Sequence, residues 1–157
     1  MAGAPIDDVD RRILRELERD GRMSMRRLAE TVHISRANAY ARVERLRDTG
    51  VITGFAALVD PGLRGLGTSA YVALQLQQEE WHDIRPALAA LEGIEHVALL
   101  GGEFDALVLV RAEDNAALRQ LILEQIQMIP GVLTTRTFLV FEELYPERER
   151  SAAPPEP

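Results

Sequence analysis

The stretch Ser24–Gly50, SMRRLAETVHISRANAYARVERLRDTG, constrains local structure more tightly than any other part of this chain. Ser24 is placed to cap a short helix whose Leu28, Ala29 and Val32 share one face. Ser35 is placed to cap a second, with Ala39, Val43 and Leu46 inward. Only His33 and Ile34 remain for the turn between them, so the pattern predicts helix, tight turn, helix. At about 100° per residue around Val43, the far side of the second helix carries Ala37, Asn38, Ala41 and Arg45, with Arg42 and Glu44 at its margins. That side suits a DNA groove. Its alanines permit close approach, Asn38 offers the paired donor and acceptor that match adenine, and Arg42 and Arg45 reach guanine edges or phosphates. Arg26, Arg27, Ser35 and Arg36 are counted with them as candidate DNA contacts. An ordinary amphipathic helix would show the same amphipathicity. Two capped helices at this spacing are what favour a helix-turn-helix.

A net charge of −7 speaks against nucleic acid until its distribution is considered. Residues 22–47 hold seven arginines against Glu30 and Glu44, a net +5, whereas residues 56–157 hold seven arginines against sixteen acids, a net −9. A basic module joined to an acidic one binds DNA locally while the remainder repels the duplex. All eighteen basic residues are arginine, whose planar fork suits phosphate and guanine. There is no cysteine, hence no disulfide and no thiolate metal site. No apolar run is long enough to span a membrane, and the first residues lack the pattern of a secretory signal, so a cytoplasmic protein is expected.

In chain order, Ile6, Val9, Ile13, Leu14 and Leu17 predict a helix starting near Asp7 and stopping at Gly21, with Asp8 and Asp10 suited to the positive end of its dipole. Its acidic balance makes it a helix that packs behind the other two. After Gly50 the period changes: Val51–Val59 is expected as a strand leaving the helical module, and residues 60–67, rich in glycine and proline, as a linker. From Thr68 the order reads strand, helix, strand, strand, helix, strand, the split βαβ or ferredoxin-like arrangement. The strands are Thr68–Leu76, Glu95–Leu100, Asp105–Arg111 and Val132–Phe141. Asp83 and Asp114 are the expected helix caps, and a type I′ or II′ turn is expected at Gly102-Glu103.

Two helices cover one face of such a sheet. Yet Ala106–Val110 and Phe138–Phe141 are apolar on both faces, so the same sheet from a second copy is the economical cover for the other face. The expected organisation is therefore α+β. A helix-turn-helix domain at 1–50 is followed by a strand and linker at 51–67, a ferredoxin-like βαββαβ domain at 68–145 that dimerises sheet to sheet, and a disordered tail at 146–157.

The segments IDDVDRRILRELERDGRMS, ISRANAYARVERLRDTGVITGF, GGEFD and IPGVLTTRTFLVFEE, in this order and spacing, resemble the leucine-responsive (Lrp/AsnC, feast/famine) family of bacterial and archaeal transcription factors over about residues 6–145. The resemblance implies a winged or plain helix-turn-helix, a hinge strand, and an effector-binding domain that forms dimers and often rings of dimers. Three positions depart from the family pattern. Arg27 stands where glutamate is usual, so Ser24 lacks a reciprocal capping box; Gly101 replaces a hydroxyl-bearing residue and Phe104 a tyrosine.

The loop Gly101-Gly102-Glu103-Phe104-Asp105 reads in two ways. It is a hairpin turn and nothing more, or its bare glycine N–H groups form an anion nest for a carboxylate while Asp105 accepts from an ammonium. Free amino acids carry both groups, and the missing hydroxyls favour an apolar or aromatic one. Leu99, Leu139 and Val140 are candidates to line the side-chain pocket, although apolar strand residues more often belong to a core. His33, His82 and His96 are scattered, and neither a metal site nor a cofactor is expected. No nucleophile with a base, no phosphate loop and no dinucleotide fingerprint is present, so the chain reads as a non-enzyme.

The expected function is a sequence-specific, cytoplasmic, nucleoid-associated regulator of transcription. It binds double-stranded DNA and itself, without a membrane, and responds to a free amino acid. The alternatives are a ligand-independent architectural DNA-binding protein and an enzyme built on the ferredoxin-like domain.

Overall fold

The computed structural model describes residues 6–77 and 80–144. The expectation for the tail lies outside them. The chain divides into two compact units, one running up to Leu58 and the other spanning Val59–Leu144.

The first unit is three helices, α1 (Asp8–Arg19), α2 (Met25–Val32) and α3 (Arg36–Asp48). Asp7 opens α1 with a full capping box: its carboxylate accepts the Asp10 N–H at 2.8 Å, and the Asp10 carboxylate accepts the Asp7 N–H at 3.0 Å. Ser24 caps α2 by accepting the Arg27 N–H, and Ser35 caps α3 by accepting the Asn38 N–H, both at 3.2 Å. Between them His33 closes α2 in the left-handed conformation, φ 57° and ψ 51°. Such a residue reverses the chain in one step, which is why two residues suffice for the turn. Ile13, Leu17, Leu28, Val32, Val43 and Leu46 form the core. Each contributes roughly 1.5–3 kcal/mol by leaving water.

The expected strand at Val51–Val59 is not formed. Ile52 packs onto the helical core, but the residues after it have no ladder partner among the described residues, and β-branched composition alone does not make a strand. Residues 60–66 form a turn in which Asp60 accepts the Leu63 N–H at 2.8 Å.

The second unit holds β1 (Thr68–Leu76), α4 (Trp81–Ala89), β2 (Ile94–Leu99), β3 (Ala106–Ala112), α5 (Asn115–Gln120) and β4 (Val132–Val140). The sheet order is β2-β3-β1-β4, antiparallel throughout, which is the ferredoxin-like topology. Helix α4 begins two residues before the expected cap, with Glu80 at its N-cap and Asp83 in its first turn. Asp114 caps α5 as expected, but after Gln120 the helix widens into a π-helical stretch, Leu121–Ile126, marked by the bond from the Gln127 N–H to the Ile122 carbonyl at 3.0 Å. Gly131 then stops it at φ 88°, where a Cβ would collide with Glu80 and Ile84.

The strand pairing assigns every side chain to a face. Ala70, Val72 and Leu74 of β1 and Ala106, Val108 and Val110 of β3 lie under the helices, against Ile84, Leu88, Leu118, Leu121, Ile122 and Ile126. The opposite face carries Tyr71, Ala73, Leu107, Leu109, Arg136 and Phe138, and among the described residues of this unit the helices all pack on the other side. Tyr71 and Phe138, paired across β1 and β4, are 37% and 48% exposed. Also on this face, Arg111 is buried, donating to the Ser69 hydroxyl at 2.6 Å and pairing with Glu143 at 2.7 Å.

Candidate nucleic-acid interface and effector loop

Helix α3 presents two surfaces of different character. Its first turns leave Ser35, Arg36, Ala37, Asn38, Tyr40 and Ala41 exposed around the inward Ala39. Arg36 stacks over the Tyr40 ring, 5.6 Å from its centroid, which pre-orders a cation at the helix start. Arg26 is paired to Glu30 at 3.0 Å, whereas Arg22, Arg27 and Arg36 have no ion-pair partner among the described residues. These cations and the free N-terminal amides of α2 and α3 favour phosphate.

The second half of α3 corrects the expectation for Arg42 and Arg45. Neither stands free on the outward side. The Arg42 Nη1 donates to Asp7 Oδ2 at 2.7 Å and to Asp10 Oδ1 at 2.8 Å, and the Arg45 Nη2 donates to Asp10 Oδ2 at 2.6 Å. Asp10 is 0% exposed, and the two arginine side chains are 23% and 36% exposed. The physical reason is that a buried carboxylate needs compensation, and these guanidiniums are the donors within reach. Burial alone would raise the Asp10 carboxyl, but hydrogen bonds from Arg45, the Asp7 backbone and Arg42 outweigh it and hold it at about 2. Asp7 is also lowered, first by the Asp10 backbone N–H and then by Arg42, while Arg42 is raised by Asp7 and Asp10.

On the sequence alone Asp7 and Asp10 read only as helix-start residues, and Tyr40 carries no assigned role. The signal for the acids was in the spacing: a pair three apart on α1 matches a basic pair three apart on α3. Tyr40 follows Arg36 by one helical turn, the ordinary spacing for a same-face contact.

The loop 101–105 joins β2 to β3, and the Leu100 N–H meets the Asp105 carbonyl at 2.8 Å. Gly101 and Gly102 are not among the positive-φ residues, so the expected I′ or II′ turn is absent and the anion nest, which needs a left-handed residue, is not formed. The two glycine N–H groups remain as separate donors on an exposed loop. Asp105 is tied to β1: its N–H donates to the Leu74 carbonyl at 2.9 Å and its Oδ2 accepts the Leu76 N–H at 2.7 Å, where the β1–β4 register shifts. Glu103 lies 3.8 Å from Arg136, whose guanidinium stacks on the Phe104 ring at 5.3 Å.

The other proposed lining residues do not meet within one chain. Leu99 pairs with Ala106 on β3, whereas Leu139 pairs with Ala70 at the far edge and opposite end of the sheet. Val140, next to Leu139 on a strand, takes the other face. A groove of about 1020 Å³, lined in part by Leu91, Gly93, Ile94, Ala117 and Leu121, lies at the start of β2, a strand's length from the loop. Among the described residues no group of His, Asp or Glu side chains is arranged to hold a metal ion, and no helix is long and apolar enough to cross a membrane.

Residues 6–53 match the winged helix-turn-helix DNA-binding family, and residues 69–150 match the Lrp/AsnC ligand binding domain. The leucine-responsive regulatory protein of Escherichia coli is 35% identical over 145 residues, covering 90% of this chain and 88% of that protein. The leucine response regulatory protein of Mycobacterium tuberculosis superposes with a TM-score of 0.80 at 31% identity, covering 91% and 97% of the two chains. A transcriptional regulator from Neisseria meningitidis, solved as its L-methionine complex, has the same fold with a TM-score of 0.83 at 24% identity, covering 90% and 93%.

Proposed function

The chain belongs to the Lrp/AsnC family of transcriptional regulators, and on that premise we propose how its parts divide the work. It is a DNA-binding regulator whose action is modulated by a small effector. In this reading residues 1–50 bind DNA, 51–67 are hinge and linker, and 68–145 bind effector and assemble the protein. The protein acts at the nucleoid, in the cytoplasm. The observation that carries the DNA assignment is the exposed first half of α3, with Arg36, Ala37, Asn38, Tyr40 and Ala41 outward beside the capped start of α2.

The effector is a free amino acid, of apolar or aromatic side chain. The methionine complex of the Neisseria neighbour supports this class, and so does the loop chemistry. Asp105 gives one carboxylate oxygen to Leu76 and retains acceptor capacity for an ammonium, while the Gly101 and Gly102 N–H groups serve singly for a carboxylate. Because Leu99, Leu139 and Val140 do not converge within one copy, the side-chain pocket is completed by another. The unit of action is a homodimer through the uncovered sheet face, with higher rings built from dimers. Each dimer offers two recognition helices, so its DNA site is an imperfect palindrome with half-sites about one helical turn apart or a multiple of it. No catalysis is assigned.

Two measurements on the full chain test the reading. Melting in the presence of each free amino acid in turn should single out one or a few that stabilise, by roughly 2.7 kcal/mol at a hundredfold excess over Kd. No shift with any of them rejects the effector class. On a duplex selected from a randomised pool, Asn38→Ala and Arg36→Ala should each weaken binding by about 1–3 kcal/mol, Asn38→Ala mainly at one base position. Unchanged affinity in both rejects the interface.

A further inference from the structure

Asp10 sits where an amphipathic helix would place an apolar residue, between Ile6 and Ile13 on the inward side of α1. A carboxylate buried with two arginines is a poor choice for stability alone, since well-packed apolar residues in such places are often equally or more stabilising. What the carboxylate does have is reach into α3. It holds Arg42, and the Arg42 Nε donates to the Asn38 Oδ1 at 3.0 Å. An arginine Nε–H only donates, so the atom of the Asn38 amide facing it is the oxygen, and the amide NH2 is left to point elsewhere. The chain of contacts therefore runs from a residue shielded from solvent to the polar side chain on the exposed part of α3. Without it the amide is free to turn over, exchanging its donor and acceptor edges, which specify different bases. The same carboxylates also occupy two of the seven arginines in residues 22–47, removing them from the cations available to phosphate.

We propose that Asp10 is a positioning residue for base recognition: acting through Arg42 it orients the Asn38 amide, and with Asp7 it withholds Arg42 and Arg45 from the DNA backbone. The inference rests on the reading that the exposed face of α3 contacts DNA. It adds a residue of α1 that touches no base and sets the ratio of specific to non-specific binding.

The test uses the full chain as wild type, Asp10→Asn, Asp7→Asn and Asn38→Ala, with duplexes selected from a randomised pool and one shuffled duplex as probes. Asp10→Asn should lower discrimination between selected and shuffled duplexes by about tenfold, at the base position that Asn38→Ala also loses. Its binding to the shuffled duplex should hold or rise, and its salt dependence should steepen by about 0.9 per arginine released to a phosphate. Asp7→Asn keeps a capable N-cap and leaves the buried carboxylate in place, so it should shift the same quantities in the same direction by less. A folded Asp10→Asn with the base preference and salt slope of the wild type overturns the proposal, as does equal loss on both duplexes, the mark of a merely structural role. Should Asp10→Asn fail to fold, an unchanged preference in Asp7→Asn overturns it. If Asn38→Ala selects the wild-type sites, the base contact assigned to Asn38 falls and takes the proposal with it, while the α3 interface still stands or falls with Arg36→Ala; an altered Asn38→Ala beside an unaltered Asp10→Asn rejects the positioning role alone.

Discussion

At the scale of single residues, two carboxylates do work that their neighbours define. Asp10 has its carboxyl lowered from the usual 3.8 to about 2 in the folded chain. The unfolded chain therefore binds the proton first, and the stabilisation is present above about pH 4 and lost as pH falls through about 2. Its size is on the order of 2 kcal/mol at neutral pH. Melting of wild type and Asp10→Asn across this range should give curves that converge toward pH 2; parallel curves would show that the pair contributes nothing to acid stability. Asp105 calls for two substitutions, because its carboxylate serves the Leu76 N–H as well as the assigned effector. Asp105→Ala leaves that N–H without its acceptor and should cost about 1–3 kcal/mol of stability. Asp105→Asn keeps an acceptor there but loses the charge. It should hold stability while weakening the effector about tenfold, read by calorimetry with whichever amino acid raises the melting temperature.

At the scale of elements, the turn between α2 and α3 is the tightest point of the helical unit. His33 carries a left-handed conformation with a side chain attached, an arrangement that glycine adopts freely and β-branched residues resist. His33→Val should destabilise by about 1–2 kcal/mol, and His33→Gly should be neutral or stabilising by less than about 1 kcal/mol, in urea unfolding followed by helical signal. Equal losses in both would mean that the imidazole, not the backbone, matters there. The helix caps were legible in advance because capping chemistry acts within three residues: Ser24, Ser35 and Asp114 all bond to N–H groups of their own first turn. The strand expected at 51–59 was not recoverable in this way. Strand formation depends on a partner elsewhere, and the composition of VITGFAALV carries no information about one.

At the scale of the molecule, the uncovered sheet face is the feature that most needs a partner. Tyr71, Leu107, Leu109 and Phe138 form an apolar field beside the buried Arg111–Glu143 pair, larger than scattered surface apolar residues make. Phe138→Glu and Leu109→Glu should split the proposed dimer, seen as a halved mass in solution at low micromolar concentration. A wild-type chain that is already a soluble monomer would refute the sheet-to-sheet interface. A dimer untouched by either charge would move the interface elsewhere.

Local information in the sequence sufficed for the three helices and their caps, for the βαββαβ order, and for the strands that are apolar on both faces. Hydrophobic period and capping residues act within a turn or a strand, and both are written in neighbouring positions. Tertiary structure alone decided where Arg42 and Arg45 point, because their acceptors lie 32 to 35 residues away on another helix. An outward position on a helical wheel tells where a Cβ starts, and a long arginine ends where a buried carboxylate draws it. Register likewise decided that Leu99 and Leu139 stand at opposite corners of the sheet, since a strand's own sequence states its alternation but not which residue it meets.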